Sequence, residues 1–271
     1  MLNNLKKNFT YQAVFALFVF LTIWWLLLYF SESKTGYPNY LFGVVYGTFM
    51  AGVGTIIGFK TVKYWGGIHS VMGRVVLALS LGLFAEFFGQ VVFSFYNIFL
   101  GIEIPYPSLA DIGFFGNIPF YFIGALFLLR ASGGHLNLSS IKSQAQIVLI
   151  PACVLFFSYY LFLQNYTFDL SNSLLIFLDF GYPLGQALYV SVAILTYGLS
   201  KNSLGGIMRK KIFLVLLAFV AQYFADFNFL FQNSRGSWYN GGYGDYLYLV
   251  AYFIMTLALL QLNVKSLKKE S

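Results

Sequence analysis

Charge is what this chain has least of. Asp, Glu, Lys and Arg make up 9% of its 271 residues, against roughly a quarter in an ordinary soluble domain, and that scarcity excludes a soluble enzyme. Cysteine is nearly absent as well. Cys153 alone forms no intramolecular disulfide and anchors no metal site, and inside an apolar run it reads as a small core hydrophobe. The two histidines, His69 and His135, lack His-x-x-x-His spacing and any Cys or acidic neighbour. They read as surface residues, and metal catalysis is excluded. No cofactor is expected.

What is abundant is hydrocarbon: 59% of residues are apolar and 21% aromatic, with a mean hydropathy of +0.74. Eight segments are long and apolar enough to span a bilayer, at about 11–30, 40–59, 75–100, 112–129, 145–163, 173–199, 212–232 and 246–264. At about 1.5 Å of rise per residue, some 20 residues cross a core of about 30 Å. The expected fold class is all-α, a polytopic helical membrane protein of about eight transmembrane helices forming one transmembrane domain over residues 1–271. The first span follows Lys6 and Lys7 as a signal peptide would. Its apolar stretch is too long for an h-region and no small-x-small site closes it, so it is expected to be retained.

Basic residues sort by side. Lys6, Lys7, Lys60, Lys63, Arg74, Arg130, Lys142, Lys201, Arg209, Lys210, Lys211, Lys265, Lys268 and Lys269 fall on one side, 14 of the 16, and only Lys34 and Arg235 fall on the other. Positive charge stays in the cytoplasm, so both termini are expected there, in a bacterial or archaeal cytoplasmic membrane, and an even number of spans follows. Of the acids, only Glu270 is placed on the cytoplasmic side. The basic rim is the ordinary signature of insertion into a lipid bilayer, and nucleic acid is not an expected partner.

A weak internal repeat pairs Arg74 through Arg130 with Lys211 through Gln261. Each unit has a span carrying an acid (Glu86, Asp226), an outer loop, a loop-end acid (Asp111, Asp245) and an aromatic span returning to the cytoplasm. Both units run the same way, which predicts a parallel hairpin repeat rather than the inverted repeat of many transporters.

Tyr106-Pro107-Ser108-Leu109-Ala110-Asp111 and the later Asp179 through Gln186, containing Tyr182-Pro183-Leu184-Gly185, resemble the multi-spanning N-terminal membrane sensor regions of bacterial diguanylate cyclases and histidine kinases. Those regions often carry a Pro-Ser-x-Ala-Asp turn before an aromatic helix. The resemblance covers roughly residues 74–260 and implies a sensing module. Members of that kind continue into a cytoplasmic output domain and this sequence ends at Ser271, so signalling is expected to pass to a protein partner in the membrane or cytoplasm.

Polar side chains within spans mark the candidate site. Glu86, Gln90 and Asn97 lie at i, i+4 and i+11, within about 40° on one helical face, and Gln222, Asp226 and Asn233 repeat those offsets. Asp179 and Gln186 share a third face. An acid in hydrocarbon costs at least a few kcal/mol, so these residues should face the bundle interior or a wet cavity. One reading is helix glue, with the acids hydrogen-bonded to Tyr, Asn and Gln. The other is an outward-opening acidic, aromatic-lined pocket formed with Asp111 and Asp245, for a small cationic or amine ligand or for protons. Glu86 and Asp226 are expected to approach across it.

An enzyme and a photoreceptor are the two other readings that the residues raise. Gly242-Tyr243-Gly244-Asp245 matches the G-x-G-D element of intramembrane aspartyl proteases, with Asp226 as the second carboxylate. The charge rule places Asp245 at the outer surface, and the stretch reads more simply as a turn. Retinal attachment needs a lysine buried in a span, and none of the eight contains one. The expected function is a membrane-embedded sensor or ligand-binding module. The alternatives are a proton- or cation-coupled small-molecule carrier and the protease, and an enzyme is the less favoured class.

Overall fold

The computed structural model describes residues 8–31, 34, 36–102, 104–132, 141–160, 172–199 and 207–263. Lys6, Lys7, His135, Lys201, Lys265, Lys268, Lys269 and Glu270 lie outside them, as do residues 161–171 with most of the expected outer loop at 164–172. Among the described residues every regular element is helical and there is no strand. The helices are α1 (Phe9–Tyr29), α2 (Tyr37–Tyr64), α3 (Val71–Ser94), α4 (Ala110–Ala131), α5 (Ile141–Ser158), α6 (Ser173–Leu199), α7 (Ile207–Ser234) and α8 (Tyr243–Gln261). A π-helical extension, Phe95–Leu100, carries α3 to its left-handed stop at Gly101.

Seven of these helices are long and apolar enough to cross a membrane, which is the make-up of an integral membrane protein. The exception is α5, whose apolar run is the shorter Gln144–Phe157. The expected span 145–163 is therefore matched only in part, and its last residues fall outside the described ones.

Helix starts follow local chemistry. The Ser70 hydroxyl accepts from Gly73 N at the head of α3, and Pro38 opens α2 where its missing N–H costs nothing. At α4, Ser108 Oγ accepts from Ala110 N while Asp111 reaches back to accept from Ser108 N at 2.7 Å. That is a reciprocal cap of the Ser-x-x-acid kind, so the Pro-Ser-x-Ala-Asp stretch has a local structural reason to exist.

Six helices close a ring in the order α2, α3, α4, α6, α7, α8 and back to α2, each packed on the next. Helix α1 leans on α2 and α8 from outside, and α5 packs chiefly on α6. Their open faces carry Phe15, Phe20, Ile23, Leu27, Val148 and Phe156. Cys153 is on one of them: it is exposed, not in the core, because α5 has so few neighbours to cover it.

Lipid is as apolar as leucine, so helices here must associate through close packing and polar contacts. Helix α2 supplies the first through Gly43, Gly47, Ala51, Gly54 and Gly58, all buried and spaced so that side chains of α3 and α8 lie against its backbone. At the α3–α4 crossing the approach is tighter still. A Cβ on Gly113 would sit 2.5 Å from both Ala85 O and Gly89 N, which are backbone atoms that cannot swing aside. One turn on, a Cβ at Gly116 would meet only Ala85 Cβ at 3.8 Å. Gly113→Ala should therefore destabilise the protein by about 1–3 kcal/mol and Gly116→Ala should not. Thermal unfolding of both variants in detergent checks the difference.

Candidate functional site

The ring turns its polar residues inward. Glu86 (0% exposed), Gln90 (3%), Gln186 (1%), Gln222 (2%) and Asp226 (6%) are buried on α3, α6 and α7. They join one hydrogen-bonded system. Glu86 Oε1 accepts from Gln222 Nε2 at 2.9 Å and from Asn117 Nδ2, and its Oε2 accepts from the Tyr252 hydroxyl at 2.8 Å. The same Gln222 amide donates to Asp226 Oδ2 at 3.0 Å, where Gln186 Nε2 also donates, and Tyr248 donates to Asp226 Oδ1 at 2.5 Å. Glu86 and Asp226, matching positions of the two sequence units, are thus bridged by a single amide group.

From Tyr252 the system continues through Gln90, whose Nε2 donates to the Tyr252 and Tyr46 hydroxyls, each at 3.4 Å. Tyr46 in turn donates to Asp245 Oδ1 at 3.1 Å, and Gly241 N donates to Asp245 Oδ2 at 2.7 Å. Asp111 takes the Tyr182 hydroxyl at 2.8 Å, and Asp179, half-buried, takes the Tyr106 hydroxyl at 2.9 Å. Asn97 is buried on the π-helical extension, where its Oδ1 accepts from Asn240 Nδ2 at 3.2 Å. Each of these carboxyl groups is therefore held by a tyrosine from a different segment.

Above the system lies a cavity that opens toward solvent. Its mouth is framed by Ile104, Tyr106 and Trp238 in the loops before α4 and α8, and Gln90, Asp226 and Tyr248 reach it from below. Asp111, Asp226 and Asp245 line it and, among the described residues, no Lys, Arg or His does. Glu86, Gln186 and Gln222 lie one layer deeper. Beyond them, Tyr121, Tyr189 and Phe219 close the ring, with ring centroids 4.8–5.8 Å apart. The arrangement can accept donors. Among the described residues, Glu86, Asp111, Asp226 and Asp245 have only hydroxyl, amide and backbone N–H partners. Gln90 Oε1, buried, has no hydrogen-bond partner among the described residues.

Several sequence expectations change. Asn233 does not join Gln222 and Asp226; it is exposed, since α7 has run past the packed ring by that point. Lys211, assigned to a loop by its charge, is 2% exposed in the first turns of α7, so a span does contain a buried lysine. Its Nζ donates to Gln261 O at 2.7 Å, while Trp65 Nε1 donates to Leu262 O, also at 2.7 Å. Both cap the carbonyls that end α8. Among the described residues Asp226 and Asp245 share no hydrogen bond: Asp226 accepts from Tyr248, Gln222 and Gln186, and Asp245 from Tyr46 and Gly241 N. Among the described residues, no group of three or more His, Cys, Asp or Glu could hold a metal ion.

Sequence reasoning missed Asn117 and the tyrosines Tyr46, Tyr106, Tyr182, Tyr248 and Tyr252 as partners of particular acids. A signal existed for two of them: Asp245, Tyr248 and Tyr252 lie at i, i+3 and i+7, one face of a helix.

No protein family, curated protein or solved structure matches the chain.

Replacing Glu86 separates the roles of shape and charge. In Glu86→Leu, the donors from Asn117, Gln222 and Tyr252 lose their acceptor, and each buried orphan costs about 1–3 kcal/mol. Glu86→Gln keeps the size and one acceptor oxygen, so its stability should fall by less. Chemical unfolding in detergent micelles measures both. Equal losses would show that the hydrogen bonds at Glu86 contribute nothing.

Proposed function

We propose that this chain is a membrane-embedded sensor or ligand-binding module whose acidic, aromatic-lined cavity takes a small cationic or amine ligand and passes the change to a protein partner in the membrane or cytoplasm. The observation that carries the reading is the cavity lining: Asp111, Asp226 and Asp245, with no basic side chain beside them among the described residues. A carboxylate facing a poorly solvated cavity needs a cation or a proton, and aromatic faces attract organic cations. In this reading α5 is the eighth span, and the α3–α4 and α7–α8 hairpins are the parallel repeat. The resemblance to sensor regions rests on the Pro107-to-Asp111 turn and the helix around Tyr182. Both termini are cytoplasmic by the charge rule, so the mouth faces outward.

A proton- or cation-coupled carrier is the second reading, favoured by the hydrogen-bonded run that continues below the cavity floor from Asp226 through Gln222 to Glu86. Ligand-dependent flux into proteoliposomes selects the carrier, and binding without flux selects the sensor.

Two measurements test the proposal. Butylamine should raise the unfolding temperature of the detergent-solubilised protein by roughly 5 °C at a hundredfold excess over its Kd, while 1-butanol should not. Equal shifts from the two would remove the electrostatic basis of the site. Orientation is read by a membrane-impermeant maleimide on a cysteine at exposed Ser237, in a Cys153→Ser background because Cys153 is itself exposed. Labelling is expected on intact cells. Labelling only after permeabilisation would reverse the orientation.

A further inference from the structure

The acids of the cavity are spread, not gathered. Asp111 belongs to α4, Asp226 to α7 and Asp245 to α8, and each is tethered to a tyrosine of another helix: Tyr182 of α6, Tyr248 of α8 and Tyr46 of α2. Every helix of the ring except α3 thus holds a member of an acid–tyrosine pair at the cavity wall, α8 holding two, and α3 contributes Gln90. The tethers keep the carboxyl groups from collapsing onto a common point. Accordingly, no cluster of three acidic or other metal-ligating side chains exists among the described residues, and one metal ion or one ammonium cannot satisfy all three.

Phe93, Phe114, Phe229 and Leu230 line the same cavity and supply its hydrocarbon surface. Gln90 adds an independent demand. It is 3% exposed and lines the cavity, and its Oε1, which lies against Gly47 of α2, has no hydrogen-bond partner among the described residues. A buried acceptor left bare is costly, and Nε2 of the same amide is already committed to Tyr46 and Tyr252. The site therefore asks for a ligand that is rich in N–H donors, carries positive charge at more than one place, and is apolar between those places. An ammonium has three donors and no acceptor, and methylene links match the aromatic walls.

We propose that the cavity's ligand is a linear aliphatic diamine or polyamine, bound with its ammonium groups divided between Asp226 and Asp245 beside Gln90, and with Asp111 available to a further ammonium nearer the mouth. The proposal rests on the amine-binding reading above and narrows it. Binding is a matter of charge count as well as of charge sign: a monoamine of equal length makes one ion pair and leaves a second carboxylate unneutralised.

The test is a competition between matched ligands on the full-length protein in lipid nanodiscs, by isothermal titration calorimetry. The panel is 1,4-diaminobutane and 1,5-diaminopentane against butylamine and pentylamine, with spermidine as the longer probe. The diamines should bind at least about tenfold tighter than the monoamines, since a second charge-assisted hydrogen bond is gained in a dry site. Spermidine should equal or exceed them. Asp226→Asn and Asp245→Asn, close in shape to the native side chains, should each bring the diamine down to the monoamine's affinity. Equal affinity of wild-type protein for diamines and monoamines would overturn the diamine assignment and leave the amine-binding reading standing. Absence of binding by every amine would overturn both. The ligand panel is run on the unaltered protein, so a variant that fails to fold does not remove the test. A folded Asp245→Asn protein that keeps the full preference for diamines would equally overturn the assignment.

Discussion

The structure depends on one contact, a tyrosine hydroxyl donating to a carboxyl group carried by another segment. It occurs at all five acids among the described residues: Tyr252 to Glu86, Tyr182 to Asp111, Tyr106 to Asp179, Tyr248 to Asp226 and Tyr46 to Asp245. Tyrosine suits the task because its ring packs in an apolar interior while its hydroxyl meets the polar demand. An acid that costs free energy when facing lipid thereby becomes a cross-link between helices. Four of the tethers join ring helices and the fifth brings the 101–109 loop onto α6, so the bundle's closure and the cavity's shape share a cause.

The layers follow from that arrangement. At the mouth, acids occupy helix starts, where Asp111 and Asp245 also accept backbone N–H groups of the preceding turn and favour the positive end of the helix dipole. Deeper, where no helix end offers N–H groups, Glu86 and Asp226 rely on the side-chain amides of Asn117, Gln186 and Gln222. Below them, Tyr121, Tyr189 and Phe219 fill the ring with aromatic bulk. Helix α8 runs through every layer and is held at both ends, by Trp25 Nε1 on Gly242 O at 3.1 Å near the mouth and by Lys211 and Trp65 at the other.

Much of the fold was legible in the sequence because apolar length and the 3.6-residue period are strong, local signals. The shared face of Glu86 and Gln90 and that of Gln222 and Asp226 could be read from spacing alone, as could the inference that polar faces turn inward. Pairing could not. Twenty-one tyrosines look alike in a chain this aromatic, and nothing local distinguishes Tyr252, which serves Glu86, from a tyrosine that serves only as bulk. Lys211 was misplaced for a related reason: charge statistics assign it to a loop, whereas the exposed carbonyls at the end of α8 give a buried ammonium partners that no sequence window contains. Cys153 and Asn233 are opposite cases, residues read as inward whose helices lack a neighbour at that point.

The most direct measurement is an experimental density map of the protein in lipid nanodiscs with saturating 1,4-diaminobutane. An acidic interior cavity built to hold cations predicts elongated density between Asp226 and Asp245, with a terminal nitrogen about 2.7–2.9 Å from each carboxylate and Gln90 Oε1 turned toward it. A map in which those carboxyl groups face lipid, or in which the cavity is filled by packed side chains with no room for the diamine, would contradict it.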